Sequence, residues 1–202
     1  MRKNPISRLS YNFLLALASS VIGTIILSWP LLAVFIQLQK TAALVHQPLS
    51  VIMHNYTQLL VYLLWPFEKV LKMTNFPTSP SAATHFYECK LLFQLALVVF
   101  LFGVILSGYA HWRHEKHFMM LNKTEALILM LVPFIVLPFA MTNFDRFFVV
   151  FHELLFSNTT WLFNPQTDPI IDVLTEGFFA ACFACAGVIY ELFFARFLLK
   201  GK

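Results

Sequence analysis

Charge is scarce in this chain. Only 12% of its 202 residues are Asp, Glu, Lys or Arg, while 59% are hydrophobic. Soluble domains carry about 25% charged residues, so a soluble globular protein is excluded. The surplus of base over acid is small, 14 against 10. No basic run is interleaved with aromatics, which argues against a nucleic-acid partner. Cysteine is nearly absent too. Cys182 and Cys185 form a C-x-x-C spacing inside an apolar stretch, without the water and partners that redox or zinc chemistry needs, and Cys89 implies no disulfide. There is no G-x-S-x-G, no Walker loop, no H-E-x-x-H and no dinucleotide fingerprint. Nothing therefore calls for a cofactor, a metal or a nucleotide.

What is present is long apolar sequence. No charge occurs between Arg8 and Lys40, between Lys90 and His111 only uncharged residues occur, and the same holds between Glu125 and Asp145. A fourth run spans Phe178 to Leu199, with Glu191 and Arg196 near its end. About 20 residues cross a hydrocarbon core as a helix, and strand alternation is missing. The expected fold is an all-α integral membrane bundle of four transmembrane helices, over 11–38, 91–112, 125–143 and 177–199, in a single domain covering 1–202. Pro30, Pro133 and Pro138 are candidate kink sites. The first run has a basic start but is too long for a signal peptide core, so it is expected to stay as a helix.

Lysine and arginine set the orientation. Arg2, Lys3, Arg8, Arg113, Lys116, Lys123, Arg196, Lys200 and Lys202 fall on one side of the four spans. Both termini are thus expected in the cytoplasm, with outer loops at 40–89 and 143–175. His111, His114 and His117, beside Arg113 and Lys116, read as a polar inner loop.

The outer loops hold the titratable residues. From Ser50 to Trp65, Ile52, Tyr56, Leu59, Leu60, Leu63 and Leu64 recur at helical spacing, with His54, Asn55, Thr57 and Gln58 off that face. An interfacial amphipathic helix is expected there, stopped by Pro66, with a second opening at Pro66 and carrying Glu68, Lys69 and Lys72 on its polar side. In the second loop Phe147, Phe148, Phe151 and Leu155 share a face bordered by His152. Asn164-Pro165 and Asp168-Pro169 are turn signals. The richest stretch is Phe151 to Phe179, which gathers His152, Trp161, Phe163, Asp168 and Glu176. Ahead of the second span, His85, Glu88 and Lys90 are spaced H-x-x-E-x-K. Each outer loop thus supplies one histidine close to a span. Two converging imidazoles make a workable acid/base pair near neutral pH.

These two elements resemble the lipoprotein intramolecular transacylases, small four-helix membrane proteins of Gram-positive bacteria. His85, Glu88 and Lys90 match an H-x-x-D-x-K element. Phe151, His152, Phe156, Trp161, Phe163, Pro165, Asp168, Ile171, Glu176, Phe178 and Phe179 match a longer element ahead of the last span. Glu88 stands for the usual Asp, Asn164 for an Asp, Thr175 for a Pro and Leu155 for a Phe.

The resemblance implies an acyl shift. The sn-2 chain of a lipoprotein's diacylglyceryl-cysteine moves to that cysteine's own α-amino group, leaving an N-acyl, S-monoacylglyceryl (lyso-form) product. Nucleophile and electrophile lie on one substrate, which fits the missing enzyme nucleophile. Ester becomes amide, so no nucleotide is needed. The implied partners are the diacylglyceryl-modified lipoprotein and membrane lipid. His85 and His152 are the implied catalytic pair, with Glu88, Lys90, Asp168 and Glu176 supporting them by orientation or oxyanion stabilisation. Phe151, Phe156, Trp161 and Phe163 are expected to line the substrate. A lipid- or protein-binding module without chemistry, and a membrane hydrolase using water, are the alternatives. A transporter is disfavoured, because no acidic or basic pair lines a midplane site and the only candidate, Glu191, sits near one end of its span.

Overall fold

The computed structural model describes residues 5–115 and 119–199, with the side chains of 136–139 and 141 left out. Arg2, Lys3, Lys116, His117, Lys200, Lys202 and the Pro138 side chain lie outside the described residues. The helices are α1 (Pro5–Gln39), α2 (Thr41–Leu44), α3 (Leu49–Leu64), α4 (Pro80–Trp112), α5 (Lys123–Thr142), α6 (Phe144–Leu155) and α7 (Glu176–Leu199). A single 3₁₀ turn, Pro169–Asp172, interrupts the segment before α7. No strand occurs among the described residues.

Three helices, α1, α4 and α7, are long and apolar enough to cross a membrane. Of the four expected spans, three are shown among the described residues; the stretch expected as the other is α5, 20 residues long. Helix α1 is the centre of the bundle and packs against both α4 and α7. Close approach is set by glycine. A Cβ on Gly103 of α4 would lie 2.6 Å from Leu15 of α1, and one on Gly23 of α1 would lie 2.8 Å from Ile189 of α7. Each glycine thus makes room for a side chain of the facing helix, in a membrane where packing has to replace the hydrophobic effect. Pro30 sits inside α1, which continues through it.

The polar ends of the helices are tied across the bundle. At one end Arg8 pairs with Glu125, and Tyr190 donates to the Leu129 carbonyl at 3.0 Å. At the other end, α3 is no loose appendage. Ile52, Tyr56, Leu59 and Leu63 are buried in the same core as Leu32, Phe86 and Phe178. The Tyr56 hydroxyl donates to Ser28 at 2.7 Å. The residues on the expected apolar face are buried or half-buried.

Two expectations for this loop are corrected. Asn55, placed off the apolar face, is completely buried. Its amide donates to Asn75 Oδ1 at 3.0 Å and accepts from Asn75 N at 2.9 Å, while Gln58 makes a similar pair with Thr74. These amides bind the returning chain, so their apparent exposure in the helical pattern is cancelled by partners about twenty residues on. Secondly, no helix opens at Pro66: residues 65–79 are irregular. Amide pairing to α3 and the Lys90 ammonium satisfy the backbone there instead.

Helix α4 also starts eleven residues earlier than position 91. Ser79 caps it, accepting from Ala82 N at 3.1 Å, and Pro80 occupies the first turn where its missing N–H costs nothing. His85 and Glu88 therefore sit on a rigid helix rather than in the loop 40–89, and Lys90 shares that helix.

Candidate active site

Two helices bring the histidines together. His85 lies in the second turn of α4 and His152 in the last turn of α6. Helix α6 is capped by Asn143, which accepts from Arg146 N at 2.9 Å. Its aromatic face docks on α7, with Phe147 and Phe151 each 5.0 Å from the Phe183 ring. This docking turns His152 inward. The two imidazole centroids stand 5.6 Å apart, and the residues are 7% and 8% exposed.

Aromatic rings wall the pair. Phe156 lies edge-on to His85 at 4.7 Å and Phe163 at 5.6 Å. Trp161 covers His152 at 4.9 Å with the planes 32° apart, and Phe148 lies 4.0 Å from it. Phe151 meets His152 edge-on at 5.7 Å. The four expected lining residues thus all touch the pair. Phe148 joins them, and only its place on the α6 face hinted at it.

Partners fix the imidazole chemistry. His152 Nδ1 is 2.7 Å from the Phe148 carbonyl oxygen. A carbonyl only accepts, so Nδ1 carries the proton and the neutral ring offers its lone pair at Nε2. Burial lowers the His152 pKa, outweighing this hydrogen bond, which raises it. The ring is therefore held neutral, as a base must be. His85 Nε2 faces Cys89 Sγ at 3.4 Å, and its buried Nδ1 has no hydrogen-bond partner among the described residues. The two rings do not carry charge together cheaply at this spacing in an apolar pocket.

The supporting residues divide. Glu88 reaches the second loop, where Asn158 donates to its Oε1 at 2.7 Å. Nothing in the sequence marks Asn158, because an Asn in S-N-T-T-W reads as an ordinary turn residue. Asp168 is 2% exposed and ties the two loops, accepting from Ser79 N at 2.6 Å and from the Thr167 hydroxyl at 2.7 Å. Lys90 is buried, donates to the Trp65 carbonyl at 2.9 Å and to that of Glu68, and lies 4.4 Å over the Tyr62 ring. Glu176 is exposed at the start of α7, where a carboxylate suits the helix dipole. Asn164 and Thr175, the substituted positions, keep their local bonds. Asn164 Oδ1 accepts from Gln166 N at 3.0 Å, and Thr175 accepts from Phe178 N at 3.3 Å.

A sequence model of the lipoprotein intramolecular transacylase (Lit) family matches residues 7–179. The chain belongs to that family. It is a multi-pass membrane acyltransferase acting on lipoproteins. The fold agrees with the solved membrane-integral Lit of Bacillus cereus, at TM-score 0.80 and 23% identity over 96% of this chain and 92% of that one. Two variants of that protein, with a histidine replaced by arginine or alanine, align at TM-scores of 0.73 and 0.68, each at 21% identity. They cover 96% of this chain and 88% and 92% of theirs. No curated protein sequence matches the chain significantly.

Proposed function

We propose that this transacylase moves the sn-2 acyl chain of a diacylglyceryl-cysteine to the cysteine's own α-amino group, using His85 and His152 as an acid/base pair. The observation carrying this reading is the 5.6 Å spacing of two buried imidazoles in an aromatic pocket. The α-ammonium, with a pKa of about 7.7–8.0, must first lose a proton. The amine nitrogen then attacks the ester carbonyl. The C–N bond forms, the C–O bond breaks, and the glyceryl oxygen leaves with a proton. The attacking nitrogen loses two protons in all; the pair passes one to the glyceryl oxygen and releases the other to water, so the enzyme ends as it began. The available nitrogens are His152 Nε2 and His85 Nδ1. Such a pair contributes roughly 10²–10⁴-fold. Holding the glyceryl arm over the amine adds an orientation effect of several kcal/mol.

Phe151, Phe156, Trp161 and Phe163 line the substrate in this reading. Lys90 and Asp168 hold the loops around the pair, and Glu176 marks the start of α7. The chain forms one membrane domain in which α5 acts as the fourth span. The distribution of Lys and Arg supports cytoplasmic termini and a site facing outward, at the level of membrane lipid.

Tandem mass spectrometry tests this directly. Lipoprotein would be taken from a host making only diacylglyceryl forms, with and without this gene. Intact mass stays constant, so fragments decide. Acyl on the cysteine nitrogen is the expected result. An unchanged S-diacylglyceryl pattern with protein in the membrane overturns it, and released fatty acid points to a hydrolase.

A further inference from the structure

Glu88 is not used by the proton transfers above, yet its placement is unusual. Its Oε1 is held by Asn158 at 2.7 Å. Its Oε2 is buried and has no hydrogen-bond partner among the described residues. A buried carboxylate oxygen without a donor is costly, so native structures nearly always satisfy one. Three residues away on α4, His85 Nδ1 is buried and equally unpartnered. Residues three apart share a helix face, with Cβ atoms about 5–6 Å apart. Two orphaned acceptor-capable atoms on one face, beside the imidazole pair, lack a common donor with several N–H groups.

We propose that Glu88 Oε2, fixed by Asn158, receives the α-ammonium of the lipoprotein's amino-terminal cysteine. This rests on the transacylase reading and adds which residue recognises the attacking nitrogen. An ammonium has three donors and no acceptor. One N–H meets Glu88 Oε2, a second faces the imidazole pair, and the proton it gives up there passes to the pair. The free amine stays beside Glu88 with its lone pair available for the ester carbonyl. The carboxylate keeps its charge throughout and changes no bond.

The Asn158 clamp gives this arrangement its aim. Asn158 Oδ1 accepts from the Thr160 N–H and hydroxyl at 3.0 and 2.5 Å, and its carbonyl accepts from Trp161 Nε1 at 3.0 Å. Trp161 in turn covers His152. One loop therefore holds both the amine receptor and the His152 ring. Glu88 is a substrate-binding residue in this scheme, and Asn158 is a positioning residue.

Equilibrium binding to the detergent-solubilised full chain tests the proposal. The probes are an S-(dialkylglyceryl)cysteinyl peptide, with ether links that cannot transfer, and its N-acetylated counterpart. The native protein is expected to prefer the free amine by on the order of 10- to 100-fold, as befits a charged hydrogen bond. Glu88→Gln is expected to bring that ratio close to one while leaving affinity for the N-acetyl probe unchanged. Glu88→Asp should restore part of the preference. An equal loss for both probes in Glu88→Gln, or an unaltered ratio, overturns the proposal. If Glu88→Gln does not fold, the native ratio decides, because a value near one also overturns it. A native protein that transfers acyl groups but ignores the amine refutes this inference alone. One that transfers nothing refutes the broader reading.

Discussion

The imidazoles of His85 and His152 face each other at 5.6 Å although they lie 67 positions apart in sequence. One is carried by a long spanning helix, the other by a short aromatic helix docked on α7. If the two rings work as a unit, His85→Ala and His152→Ala should each lower acyl transfer by roughly 10²–10⁴-fold. The double variant should be little worse than either single one. Rates of N-acyl product formation, read by fragmentation, check this. Multiplicative losses would mean that the rings act independently.

Stability should depend on pH through His152. Its pKa is lowered in the folded protein by burial. Between that lowered value and the ordinary value of about 6.5, the unfolded chain binds a proton that the folded chain does not. Stability therefore rises with pH through this window and levels off above it. Thermal melts in detergent should shift downward as pH falls below about 6.5. The slope should be shallower in His152→Gln.

Asp168 should prove to be an architectural acid. Its two oxygens hold the Ser79 N–H and the Thr167 hydroxyl. Asp168→Ala leaves a half-buried N–H unpaired and should cost about 1 kcal/mol of stability. Denaturation in mild detergent measures this. Asp168→Asn, which keeps an acceptor at Oδ1, should cost less.

Lys90 separates positioning from catalysis. Its ammonium satisfies the Trp65 and Glu68 carbonyls. Lys90→Met should make the segment 65–79 more sensitive to proteolysis. Turnover per folded molecule should fall only a few-fold, well short of the roughly 10²–10³-fold loss that follows removal of an oxyanion donor. A loss of that larger size in intact protein would return Lys90 to the oxyanion role.

Much of this architecture is legible in the chain. Long apolar runs announce α1, α4 and α7, because length and apolarity decide what crosses a bilayer. The face of α3 is legible from its period. The start of α4 is less so. Its signal is Ser79-Pro80, a cap followed by a first-turn proline, and it is easily outweighed by the polar residues between Pro80 and Lys90. Asn55 is hidden for a different reason. Periodicity records which residues share a face, not which distant amide will meet them. The histidine pair was readable as two candidates near two spans. The Asn158 bridge was not, since it joins residues seventy positions apart.

The length of α4 has a last consequence. Thirty-three residues make a rod of about 50 Å, against a hydrocarbon core of about 30 Å. Its apolar run, residues 91–110, accounts for the core thickness, and His85 stands six residues beyond, about 9 Å along the axis. The headgroup layer adds only about 5–7 Å on each face of that core, so His85 stands at its outer edge, above the glyceryl esters. In the proposed reaction α4 would thus serve as a depth gauge: the lipoprotein's acyl chains would stay seated in the leaflet while the reacting ester is drawn up to the imidazoles.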